Sequence, residues 1–146
     1  MFPFEIIDVT TLNFSYDNPE VDLEKSEDYE NYLGVGRSYN DEEEYITFLV
    51  NYWVENEESK KIFEIGIGVM FSLEDYSVVT NKEENGNFVL PEALDNMVMG
   101  QLFAICHGVV SAKSEGLKVA EAVYFPLYNK GILSDDVVDG QSTKST

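Results

Sequence analysis

Residues 62–73 read IFEIGIGVMFSL, and the odd positions Phe63, Ile65, Ile67, Val69, Phe71 and Leu73 are all large and apolar. A period of two puts alternate side chains on opposite faces of a strand, so this segment reads as a strand with one buried face. The positions between are Glu64, Gly66, Gly68, Met70 and Ser72, small or mixed in character. Glycine weakens a strand unless another group has to come close to its backbone. What lies against the glycine face is therefore the question the fold must answer.

Upstream, the polar stretch ENEESKK leads back to residues 45–54, YITFLVNYWV, where Ile46, Phe48, Val50, Tyr52 and Val54 form a second apolar row. Two such runs joined by a short polar turn predict a hairpin. Residues 29–39 carry Tyr29, Leu33, Val35 and Tyr39 in one register. In residues 3–16, Phe4, Ile6, Leu12, Phe14 and Tyr16 share a register while Ile7 and Val9 favour the other, which predicts a bulge. The acidic stretch 17–28 connects the first two strands. Short polar connections elsewhere predict an antiparallel meander of four strands.

Downstream, residues 77–89 are polar and contain the turn pair Asn85-Gly86. Pro91 suits the first turn of a helix. From there to Ser114, Leu94, Val98, Leu102, Ile105, Val109 and Ala112 recur at helical intervals, with Met99, Phe103, Cys106 and Val110 beside them. A helix apolar over so much of its girth needs covering on more than one side, and Gly116 ends it. Gly100, Ala104, Gly108 and Ala112 recur every four residues. Small residues at that spacing admit a close backbone, which is either a helix of a second protomer or this chain's own sheet. The arm LKVAEAVYFPLYN follows, with Tyr124, Phe125 and Tyr128 either closing the core or lining a groove. Residues 1–133 read as one α+β domain: a four-stranded antiparallel sheet, one long helix and an extended C-terminal arm. Residues 134–146 read as a disordered acidic and polar tail.

The chain has 146 residues, 44% hydrophobic, with 28 acidic against 9 basic side chains and a formal charge of −19. Such a charge repels phosphate backbones and anionic lipid, so neither nucleic acid nor a membrane surface is an expected partner. It favours a basic partner. The sequence has no basic n-region with a cleavage site and no uninterrupted apolar run of membrane-spanning length, which gives a cytoplasmic expectation. One cysteine and one histidine cannot build a zinc site within a protomer. Cys106 and His107 diverge by about 100° on a helix and do not form a nucleophile–base pair. There is no GxSxG motif, and in DDVVDG the third calcium-ligand position is Val137. No catalytic residues, cofactor or metal are expected, and the chain reads as a binding protein rather than an enzyme.

The order of parts resembles the SecB-like export chaperones, in which four antiparallel strands precede a proline-begun helix and an extended segment. The resemblance runs from Phe4 to Tyr128. It rests on IFEIGIGVMFSL, on LPEALDNMVMGQLFAICHGVVSAKSEG for the helix and its exit, and on VYFPLYN, where Phe125-Pro126 and Asn129 approximate the family's LPxxN arm. The helix start Asp95-Asn96-Met97 and the arm's Lys118-Val119-Ala120 depart from the family pattern, as a divergent member guarding one client would. The resemblance implies dimers of dimers with long helices between the sheets, and unfolded or extended polypeptides held in apolar grooves. Expected client contacts are Tyr52, Trp53, Tyr124, Phe125 and Tyr128, and the expected homodimer or homotetramer contacts are Gly100, Ala104, Gly108 and Ala112. The process served is protein export or the guarding of a specific client, such as a toxin–antitoxin partner. The alternative is a dedicated adaptor or inhibitor on the same scaffold.

Overall fold

The computed structural model of the chain describes residues 3–17, 29–82, 88–129 and 142–144. Four long strands come first: β1 (Phe4–Tyr16), β2 (Glu30–Asn40), β3 (Tyr45–Glu55) and β4 (Lys61–Leu73). A single helical turn, α1 (Tyr76–Val79), and a two-stranded pair, β5 (Asn81–Lys82) with β6 (Phe88–Val89), lead to the long helix α2 (Glu92–Ser114). A 3₁₀ turn at Lys118–Ala122 opens the arm, and β7 (Ser142–Lys144) is the last strand. The fold is α+β, an antiparallel sheet followed by one long helix. The expected turn pair Asn85-Gly86 lies outside the described residues.

The strand order is β1-β4-β3-β2-β7, which corrects the expected meander. β2, β3 and β4 follow one another, but β1 pairs with β4 and not with β2. The long acidic connection after β1 permits this, because only a tight turn forces sequential strands together. β1 carries two register shifts, between Ile6 and Asp8 and between Thr11 and Asn13. These are the irregularities that the conflict of registers predicts. Ser142–Lys144 pairs with Tyr32–Gly34 at the β2 edge, so these three residues of the tail are a strand, not disordered as expected.

One face of the sheet forms the core. Phe48, Val50, Tyr52, Ile65, Ile67, Val69 and Phe71 are buried there against Val98, Leu102, Phe103, Cys106 and Val110 of α2. Each large apolar side chain buried this way stabilises the fold by about 1.5–3 kcal/mol. Two contacts fix the helix direction. Near its start Asp95 pairs with Arg37 of β2 at 2.8 Å, and near its end Lys113 Nζ stands 5.5 Å from the centroid of the Phe14 ring of β1. The helix thus crosses the sheet from the β2 side to the β1 side. By length and composition alone α2 is long and apolar enough to cross a membrane. Its buried stripe packs on the sheet, as the stripe of a core helix does.

The arm lies on the same face. Asn31 of β2 donates from Nδ2 to the Ala122 carbonyl at 3.2 Å, and its Oδ1 accepts from the Tyr124 amide at 3.0 Å and from the Tyr52 hydroxyl. Phe125 sits edge-on to Tyr52 (5.4 Å between centroids) and tilted against Phe103 (5.7 Å). Gly116, at φ 78°, makes the left-handed turn that redirects the chain from helix to arm.

Candidate functional site

The five expected client contacts separate. Tyr52 and Phe125 are buried in the core, which corrects their assignment to a surface groove. Tyr52 belongs to the same row as Phe48 and Val50, and its hydroxyl is spent on the Asn31 network. Burial pushes its phenol well above the usual tyrosine range. Tyr128 is half-buried against Phe103 and donates its hydroxyl to Asn96 at 3.2 Å. Tyr124 is 63% exposed and points away from the core that its own backbone helps to close. Trp53 alone lies on the opposite face of the sheet, half-buried.

That opposite face answers the question raised by the glycines. The register places Gly34, Asn51, Gly66 and Asn13 in one row across four strands. The next row holds Gly36, Leu49, Gly68 and Thr10. A Cβ on Gly66 would collide with Asn13 Oδ1, and one on Gly68 would stand 3.5 Å from Leu12 Cδ1. Side chains of β1 therefore fill the space above β4, and the close approach that the glycines serve is internal.

Next to this shallow floor stands an aromatic ledge. Tyr32 and Trp53, opposite each other on β2 and β3, stack with centroids 5.3 Å apart and planes 8° from parallel. Glu30 accepts from the Tyr32 hydroxyl at 2.6 Å, and Glu55 accepts from Trp53 Nε1 at 2.8 Å. Glu64 lies opposite Trp53 on β4. The bond to Glu30 pushes the Tyr32 phenol up to about 12, with smaller contributions from its surroundings and the Glu55 charge. Lys61 Nζ stands 4.9 Å from the Trp53 ring centroid and 3.0 Å from Glu64. A stacked ring pair with a cation on one face and carboxylates around it is a setting that holds positive charge. Sequence reasoning singled out Trp53 but missed Tyr32 and the three glutamates. Their signal was present, since Glu30 and Tyr32 alternate toward Gly34 on the face opposite Leu33.

The expected oligomer contacts lie on the helix face turned from the sheet. Ala104, Gly108 and Ala112 are exposed and Gly100 is half-buried. A Cβ on either glycine would meet nothing within 4 Å, so neither glycine is required by this chain's own sheet. Met97 on the same helix is 46% exposed. Between Asp95 and Lys113 the helix carries no aspartate, glutamate, lysine or arginine, and the chain's single histidine falls in this stretch. That histidine, His107, lies within hydrogen-bond distance of the Phe125 carbonyl, 3.1 Å from Nδ1.

The sheet edge at β1 is apolar as well. Among the described residues ten large hydrophobic side chains are exposed, and five of them, Ile6, Ile7, Val9, Leu12 and Tyr16, belong to β1. Cys106 is buried beneath the helix, and burial pushes its thiol up to about 12, so it stays protonated and unreactive. Among the described residues no three histidine, cysteine or acidic side chains come together as a metal site. Comparison of the chain with protein-family models, with curated proteins and with solved structures finds no match.

Proposed function

We propose that this chain is a polypeptide-binding protein of the SecB-like chaperone kind, working as a homo-oligomer and holding unfolded or extended segments. The observation that carries this reading is the concentration of exposed apolar side chains on β1, in a protein whose charge of −19 keeps such a surface soluble. The uncharged outer face of α2, with Gly100 and Gly108 open to an approaching backbone, supports self-assembly through the helix. The acidic surface supports a preference for basic clients, in the cytoplasm and without cofactor or catalysis.

Two measurements test this. Light scattering of the intact protein at micromolar concentration should return a dimer or tetramer, and a 16.5 kDa particle would overturn the assembly. Substoichiometric protein should suppress aggregation of a chemically unfolded model substrate, more strongly for a basic substrate than for an acidic one. Failure to suppress either, with one stoichiometric folded protein recovered on affinity capture, would replace this reading with that of a dedicated adaptor.

A further inference from the structure

The outer edge of β2 is occupied by a segment of the chain itself. Among the described residues β7 pairs with three of the eleven residues of β2, setting Lys144 opposite Tyr32, Thr143 opposite Leu33 and Ser142 opposite Gly34. One of only nine basic residues in the chain thus stands at the register position beside the aromatic ledge. On the other side of the ledge, Lys61 stands over Trp53. Glu30, Glu55 and Glu64 surround the two rings.

From this juxtaposition we infer that the β2 edge with the Tyr32–Trp53 ledge is a binding site for an extended basic segment of another polypeptide. The segment adds as an antiparallel strand to β2, with a lysine or arginine opposite Tyr32, and β7 is the resident occupant that it displaces. Strand addition supplies main-chain hydrogen bonds regardless of sequence, while alternate side chains supply selectivity. Here selectivity comes from charge and from room. Glu30 and the ring faces favour a cation opposite Tyr32. Continuing the β7 register, the residues two and four places before that cation fall opposite Gly34 and Gly36, where no side chain opposes a large one. The preferred segment is an apolar residue, any residue, a second apolar residue, any residue, then lysine or arginine. Among the described residues this pairing spans three positions, and a net main-chain hydrogen bond contributes little to stability, so a longer segment can take the edge.

The inference rests on the chain being a polypeptide binder, and its test is separable from that reading. Trp53 is the single tryptophan, so its emission reports on the ledge. The intact protein is titrated with the acetylated, amidated peptide Ser-Val-Ser-Val-Ser-Lys-Ser and with the same peptide carrying glutamate in place of lysine. The lysine peptide should shift the emission and bind about tenfold or more tightly than the glutamate peptide, and equal affinities would overturn the site. The double variant Thr143→Pro, Lys144→Glu, which breaks β7, should bind the lysine peptide about tenfold more tightly than the native chain. Unchanged affinity would overturn the displacement of β7. Peptide binding without aggregation suppression would support the site and sink the chaperone reading. Suppression without peptide binding would do the reverse.

Discussion

The two faces of the sheet are built from the same strands and obey opposite rules. On the helix side, the row Leu33, Tyr52, Ile65 is buried throughout, and α2 and the arm both lie over that face. On the outer side, the neighbouring row Gly34, Asn51, Gly66 carries glycine and asparagine, and Leu49 in the row beyond is 46% exposed. The helix side converts apolar area into stability. On the outer side the glycines of β4 lie beneath side chains of β1, while Leu49 and the Tyr32 and Trp53 rings keep part of their surface exposed. A one-residue slip in register would exchange the two faces, so the alternation in β3 and β4 encodes both the core and the outer ledge.

The largest expected difference between the faces is energetic. Phe63 is 1% exposed and packs edge-on to Phe14 at 5.6 Å, so Phe63→Ala should cost about 3–5 kcal/mol in denaturant unfolding. Leu49→Ala on the outer face should stay within about 0.5 kcal/mol. The comparison breaks if Leu49→Ala costs as much as Phe63→Ala, because the outer face would then be covered in solution.

Next in size is the polar tie that holds the arm. Asn31 is 2% exposed and serves Ala122, Tyr124 and Tyr52 together. Removing it leaves buried partners without their bonds, at a cost of about 1–3 kcal/mol. Asn31→Ala should lower the unfolding midpoint and speed amide exchange at Tyr124 ahead of the sheet interior. Exchange that stays slow at Tyr124 would show that its second bond, to the Tyr52 hydroxyl at 2.8 Å, together with Phe125 suffices to anchor the arm.

Alkaline pH sharpens the contrast further. Burial raises the Tyr52 phenol and pushes the Cys106 thiol up to about 12, so both must remain protonated in the fold. The unfolded chain releases these protons first, near pH 8.5 for a thiol and near pH 10 for a phenol. Their contribution is therefore complete below those values and declines as pH rises toward the folded-state values. Stability should be flat from neutrality to about pH 8.5 and then fall. Cys106→Ser should leave only the decline near pH 10, and an unchanged onset would remove Cys106 from the account.

Much of this was legible in the residues. The period-two rows of β3 and β4 marked the core face, including Tyr52, whose place in the Phe48–Val50 row already argued against a groove. The helix bounds followed from Pro91 and Gly116. The partner of β1 was not legible, because alternation records which face a residue takes but not which strand lies beside it. The Asn31 network was hidden for a related reason. A polar residue in an apolar register signals a buried partner, but that partner, the arm, is 91 residues away in sequence for Ala122. The Tyr32–Trp53 ledge needed the β2–β3 register, which no single strand contains.

The smallest expected effect decides whether the helix behaves like a core face or an outer face. Alanine at Gly100 or Gly108 would meet nothing within 4 Å in the protomer, so no clash opposes the substitution. Alanine is favoured over glycine in a helix interior by about 0.8–1.0 kcal/mol. In a monomer, Gly100→Ala and Gly108→Ala should therefore each raise stability by about that amount, and the two changes should add. Where a second helix packs against these positions, the added methyl instead holds two backbones apart. Unfolding would then become easier as the protein is diluted, and sedimentation would show weaker association than in the native chain. The sign of one substitution, measured at two protein concentrations, thus separates the two cases. Stabilisation that does not change with concentration would mean that the uncharged helix face stays open to solvent, and that any assembly of this chain proceeds through β1.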